Sequence, residues 1–114
     1  SLCVGVPRNP DKALAAVART NGAWVAVTDE QILAALPATA ARTGIFGEPA
    51  AVTAAAGVWV AVELGIIDPT EGVAIISSGN GLKDPATALK SVTGPLDVAP
   101  NVAAVAVGLT TVGA

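Results

Sequence analysis

The apolar mass of this chain is made of alanine and valine rather than of large side chains. Of its 114 residues 53% are hydrophobic, yet the only aromatics are Trp24, Phe46 and Trp59. Small side chains let elements pack closely. Polar cover is scarce: charged residues make up 13%, against about 25% in ordinary soluble domains. A single domain of this length has a large surface relative to its interior. Two readings follow. Part of the apolar surface faces protein outside this chain, or an ordinary domain wears an alanine-rich, mildly polar surface. The first is the working expectation.

Composition also excludes several functions. The net charge is −3 and no basic patch is visible, so nucleic acid is not an expected partner. There is no histidine and one cysteine, which excludes a His/Cys metal site and a Ser-His-Asp triad within the chain. Cys3 has no partner for an internal disulfide, which fits a reducing, cytoplasmic setting. The first residues lack a basic stretch followed by an apolar one, so no signal peptide is expected. The longest apolar run, Ala50 to Val62, lies between Glu48 and Glu63. It is shorter than the roughly 18–20 residues of a membrane span and reads as a buried helix, with no membrane partner.

Punctuation along the chain predicts alternating elements. Ser1 to Val6 reads as the end of a strand, and Pro7 to Asp11 as a turn. A helix follows, capped by either Asn9 or Asp11, with Pro10 near its first turn and Leu14, Val17 and Ala18 on one face. Asn21-Gly22 stops it, and Ala23 to Val27 reads as a buried strand. Thr28 and Gln31 have the spacing of a capping box, and Ile32, Leu33 and Leu36 form the inward face of the next helix. Pro37 is expected to kink or divide that helix, which ends near Gly44. Pro49 fits the first turn of a helix read as Ala50 to Leu64, which Gly65 closes. Val73 to Ile76 reads as a second buried strand, and a short helix runs from about Pro85 to Lys90. The tail from Pro95 fits an edge strand plus a short helix. The order α-β-α-α-β-α predicts an α/β fold: a partial three-layer parallel sheet with crossover helices. Two or three strands are too few for a free-standing sheet of that kind. Residues 1–114 read as one segment.

Two loops carry the chemistry. One is Gly44 to Pro49, ahead of a helix. The other is Ser77-Ser78-Gly79-Asn80-Gly81-Leu82-Lys83-Asp84, after an expected strand. Open α/β sheets bind ligands at the carboxyl ends of strands, and glycines admit a ligand close to the backbone. Together the loops offer the hydroxyls of Ser77 and Ser78, the Asn80 amide, the Glu48 carboxylate and the Lys83 ammonium. Each has a plainer reading. Ser78 is either a ligand-facing hydroxyl or a cap, and Asn80-Gly81 is also a common turn pair. Glu48 also suits a helix start, and Lys83-Asp84 a surface pair. Trp24 and Trp59 read as core or interface anchors.

At these residues a resemblance emerges. Ser78-Gly79-Asn80-Gly81-Leu82-Lys83-Asp84 resembles the Thr/Ser-Gly-Asn/His-Gly-Leu-Lys-Asp motif near the end of threonine synthases, which are fold type II pyridoxal-phosphate (PLP) enzymes. Val6-Pro7-Arg8-Asn9-Pro10 with Lys12-Ala13-Leu14 is similar to a Val-Gly-x-Pro-Arg-Asn-x-x-Lys-Ala-Leu stretch of that family. Val27-Thr28-Asp29-Glu30-Gln31-Ile32 resembles its Val-Ser/Thr-Asp-Glu-Glu-Ile, and Gly44-Ile45-Phe46-Gly47-Glu48-Pro49-Ala50 its Gly-Ile/Val-Phe-Ala-Glu-Pro-Ala. The segments fall in the family's order and cover nearly all of this chain, but only the C-terminal third or so of such an enzyme. Two departures stand out: Ala51, where a small hydroxyl residue is frequent, and Ser77, where asparagine is common in some members.

The resemblance implies the C-terminal part of a fold type II large domain. In it Ser78 stands where the family's Thr or Ser hydrogen-bonds the pyridine N1 of PLP, with Gly79, Asn80 and Glu48 also on the cofactor side. A neutral hydroxyl holds N1 less strongly protonated than a carboxylate, and such tuning is the protein's share of cofactor chemistry. It implies a whole enzyme converting O-phospho-L-homoserine and water to threonine and phosphate. The alternatives are another fold type II activity such as threonine or serine dehydratase, or a noncatalytic α/β protein-binding module. The Schiff-base lysine and the phosphate loop belong to the family's earlier segments. Lys12, Lys83 and Lys90 align elsewhere, so the chain alone is expected to be inactive, with no catalytic residue of its own and no metal. Its implied partners are the N-terminal portion of the same enzyme or another copy of itself, in a homo-oligomer, and an amino-acid substrate.

Overall fold

The computed structural model describes residue 2 and residues 4–112. Cys3 therefore lies outside the described residues, as does part of the expected first strand. Among the described residues five α-helices follow one another: α1 (Pro10–Arg19), α2 (Asp29–Thr43), α3 (Pro49–Glu63), α4 (Pro85–Lys90) and α5 (Val102–Val112), with a single 3₁₀ turn at Gly81–Lys83 just before α4.

The helix boundaries follow local chemistry. Pro10, Pro49 and Pro85 each stand in the first turn of a helix, where a missing N–H and a fixed φ do no harm. At α2 the capping box forms. The Gln31 N–H donates to Thr28 Oγ1 at 3.2 Å, and the Thr28 N–H donates to Gln31 Oε1 at 2.8 Å. Gly44 ends α2 in the left-handed region at φ 72°, its N–H donating to the Ala40 carbonyl, a conformation other residues adopt only with strain. Of the two outcomes expected at Pro37, division does not occur: α2 continues through it as one helix.

The core sits between α2 and α3. Ile32, Ala35 and Leu36 pack against Val52, Ala55 and Ala56, with Val27 at the edge. Alanine at three of these six positions brings the two helices close. Of the expected inward face of α2, Ile32 and Leu36 are buried and Leu33 is half-buried.

The α/β expectation is overturned. No strand or sheet forms among the described residues; the one β contact is an isolated antiparallel bridge between Gly47 and Asn80. Ala23 to Val27 and Val73 to Ile76 have the composition of strands but no ladder beside them. A strand is defined by lateral hydrogen bonds, and without a neighbour β-rich composition makes no sheet. Nor are these segments buried as expected: Trp24 is 63% exposed and Ile76 83%. The tail forms α5 but no edge strand; Gly108 of α5 packs on Val98 and Leu96. Neither tryptophan is a core residue, since Trp59 is 37% exposed.

The outline is open. The radius of gyration is 18.3 Å and the principal extents are 61 × 34 × 19 Å, whereas a compact chain of this length has a radius near 13 Å. α1 buries no residue, and Val6, Leu14, Leu64, Leu89, Val102 and Leu109 are all exposed.

Candidate functional site

The two loops singled out in the sequence meet. The Glu48 N–H donates to the Gly79 carbonyl and the Gly81 N–H to the Phe46 carbonyl, both at 2.9 Å. These two bonds flank the Gly47–Asn80 bridge and anchor the Ser/Gly loop to the start of α3. Close approach is what glycine permits here. A Cβ on Gly47 would meet Val52 Cγ2 at 2.9 Å and Ser77 Oγ at 3.2 Å; one on Gly79 would collide with the Glu48 carboxylate, and one on Gly81 with the Phe46 ring. Side chains at these positions would push the loops apart.

Between the loops lies an open depression of about 430 Å³ lined by Gly44, Ile45, Phe46, Ser77, Ser78, Gly79 and Asn80. Two hydroxyls and one amide face two apolar side chains, and no lining side chain is ionisable. Ser77 and Ser78 are exposed. Asn80 Oδ1 accepts the Leu82 N–H at 2.9 Å, so its carbonyl organises the 3₁₀ turn, as the turn reading anticipates, while the residue still lines the depression.

Glu48 is placed differently from Ser78, Gly79 and Asn80. It does not line the depression. It precedes α3 but makes no side-chain cap. It is the one buried charged residue among those described, at 6% exposure, and its carboxylate lies against Gly79. Its Oε1 accepts from Lys83 Nζ at 3.1 Å, with the lysine side chain 66% exposed. Lys83 and Asp84, adjacent in sequence, thus part company: Lys83 reaches Glu48, and Asp84 Oδ1 accepts the Thr87 N–H at 3.2 Å to cap α4. Hydrogen bonding from Thr87, first by its side chain and then by its backbone, holds the Asp84 carboxyl below its ordinary range. The sequence reading missed the Glu48–Lys83 pair and the apolar lining by Ile45 and Phe46. No signal in one sequence joins two charges 35 residues apart. Among the described residues no group of side chains is arranged to hold a metal ion.

The neutral donor set fits a flat heteroaromatic group such as the pyridine ring of PLP. Its lining combines two hydroxyls and an amide with the apolar residues Ile45 and Phe46. The buried carboxylate is kept out of the depression by its contact with Gly79.

No family model matches the chain. Curated relatives do. The chain is 41% identical over 98 residues to the threonine synthase of Methanocaldococcus jannaschii, covering 86% of this chain and 24% of that protein. It is 39% identical over 105 residues to the threonine synthase of Methanosarcina acetivorans, covering 92% and 26%. Against the threonine synthase of Halalkalibacterium halodurans it is 39% identical over 101 residues, covering 89% and 28%. Each match takes in most of this chain and only part of the relative. It is a threonine-synthase-like segment, spanning about a quarter of the length of the relatives it matches, as a C-terminal piece of such a protein would.

Proposed function

We propose that this chain is the C-terminal portion of a threonine-synthase-like PLP enzyme and supplies the wall of the cofactor pocket beside the pyridine nitrogen. The reaction of the whole enzyme is the conversion of O-phospho-L-homoserine and water to L-threonine and phosphate. The observation that carries the reading is the junction of the two family-like loops. It brings Ser78, Gly79 and Asn80 to one depression with Ile45 and Phe46, within a chain about 40% identical to threonine synthases.

When bound, PLP supplies the electron sink for carbanion chemistry at the substrate's α-carbon. This chain's own part is to bind and tune. The Ser78 hydroxyl offers N1 a neutral hydrogen-bond partner, Gly79 leaves the adjacent backbone uncrowded, and Ile45 and Phe46 add apolar lining to the depression. The amine that holds the cofactor covalently and the groups that hold its phosphate come from the other three-quarters of the enzyme. That protein also covers the exposed apolar residues of this chain, which the open outline leaves bare.

The test is reconstitution. The chain is co-produced with the preceding three-quarters of a threonine synthase, and phosphate release from O-phosphohomoserine is followed with PLP present. Activity is expected in the pair and in neither part alone; a pair that assembles yet releases no phosphate refutes the assignment. Within the active pair, Ser78→Ala lowers turnover while the unfolding midpoint stays put. An exposed surface substitution of this kind shifts stability by no more than about 0.5 kcal/mol. Equal turnover in the variant removes the N1 role.

A further inference from the structure

The buried Glu48 carboxylate has no place in the depression, so its burial needs another explanation. Glu48 touches Gly79 of the Ser/Gly loop twice. Its N–H donates to the Gly79 carbonyl at 2.9 Å, and its carboxylate occupies the space beside Gly79 where any other residue would carry a Cβ. It is also fixed to the core, because its own carbonyl accepts the N–H groups of Ala51 and Val52 at 2.9 and 3.0 Å in the first turn of α3. Lys83 closes the ring from the far end of the same loop, at 3.1 Å. A carboxylate taken out of water is costly unless paired, and Lys83 is the cation that pairs it. Gly79 is bonded directly to Ser78, so whatever holds Gly79 sets where the Ser78 hydroxyl stands.

We infer that Glu48 and Lys83 are a positioning pair: together they clamp Gly79 to the start of α3 and thereby fix the Ser78 hydroxyl against the rigid α2–α3 core. The inference rests on the proposed role of Ser78, but the clamp itself is observable without any cofactor. Neither residue touches the ligand. Lys83 stands mostly in solvent and acts through Glu48, and Glu48 acts through Gly79. The sequence pattern Gly79-Asn80-Gly81-Leu82-Lys83 thus has a mechanical reading. The glycines let the loops close, Asn80 folds the turn, and the lysine four residues past Gly79 returns to lock it.

Two measurements test this. The first is amide hydrogen exchange in the 114-residue chain, read at the N–H groups of Glu48 and Gly81, which span the junction. Lys83→Met and Glu48→Gln are expected to speed exchange at both about tenfold or more while α2 and α3 amides keep their protection, and Lys83→Arg to preserve it. Unchanged exchange at the two amides, loss spread evenly over α2 and α3, or no protection there in the unsubstituted chain each overturns the clamp. The second is retention of PLP by the reconstituted pair. Lys83→Met is expected to weaken PLP binding about tenfold, Lys83→Arg to restore it, and Ser78→Ala to add little on top of Lys83→Met, since a hydroxyl already misplaced has little left to lose. Fully additive losses overturn the positioning role. A reconstituted pair that retains no PLP at all refutes the enzyme assignment instead, and the exchange result then judges the clamp on its own.

Discussion

Helices α2 and α3 bury Ile32, Ala35, Leu36, Val52, Ala55 and Ala56 against each other, whereas α1 buries nothing although Leu14 and Val17 share one of its faces. Both regions are built from the same small apolar residues. They differ in where the partner surface lies. α2 and α3 are consecutive, joined by Gly44–Glu48, and each finds its apolar neighbour at short chain distance. α1, the two β-rich runs and α5 find little or none. Amphipathic patterning states that a face is to be buried, and is silent about which chain buries it. The radius of gyration of 18.3 Å measures how much of this chain is in the second condition.

The largest expected effect sets the same substitution in the two regions. Leu36, 3% exposed, loses its side chain in Leu36→Ala at about 2–5 kcal/mol. Leu14, 57% exposed, loses its own in Leu14→Ala within about 0.5 kcal/mol. Urea unfolding of the chain reads both, and equal losses break the contrast. In the reconstituted pair the Leu14 loss is expected to grow, which shows that α1 has found its cover. An intermediate effect belongs to the entry of α2. Thr28→Ala removes one half of the capping box and is expected to lower stability by about 1 kcal/mol, with Thr28→Ser restoring it.

The smallest effect lies at the edge of the site. The Asp84 carboxyl is held below its ordinary value by its hydrogen bonds from Thr87. A group depressed on folding contributes its stabilisation above the unfolded value, near 3.9, and loses it as pH falls through the lower folded value. Protection of the Thr87 amide is therefore expected to hold at neutral pH and fade in acid, and Asp84→Asn to flatten that profile. Glu30 and Asp68 are depressed in the same direction, Glu30 chiefly by its backbone hydrogen bond and Asp68 chiefly by the Thr70 side chain.

Much of the helical framework was legible in the sequence because its signals are local. Pro10, Pro49 and Pro85 marked starts, Gly44 and Gly65 marked ends, and Thr28 with Gln31 marked the capping box. Pro37 did not divide the helix: α2 runs through it in one piece, although a proline in a helix interior locally opposes it. The sheet misled for a different reason. Val73 to Ile76 has a strand's composition, but a strand requires a second backbone beside it, and no residue type announces one. The site was half legible. Its two loops stood out by glycine, serine and proline, and they do meet. That Glu48 turns away from the depression to Gly79 and Lys83 follows from a closure over 35 residues, which no local pattern encodes.

That closure has a kinetic consequence. The Glu48–Lys83 contact shuts a loop of 35 residues, whose ends meet at an entropic cost on the order of 3 kcal/mol. The bonds that seal it are two backbone hydrogen bonds and one half-solvated ion pair, each of modest net worth. The helical hairpin of α2 and α3 can therefore form first and quickly, with the Ser78 loop arriving late and departing early. Proteolysis between Gly65 and Ser77 is expected to unseat Ser78 while the helices still hold, so the lifetime of the Ser78 loop in its place is set by that seam and not by the core beneath it.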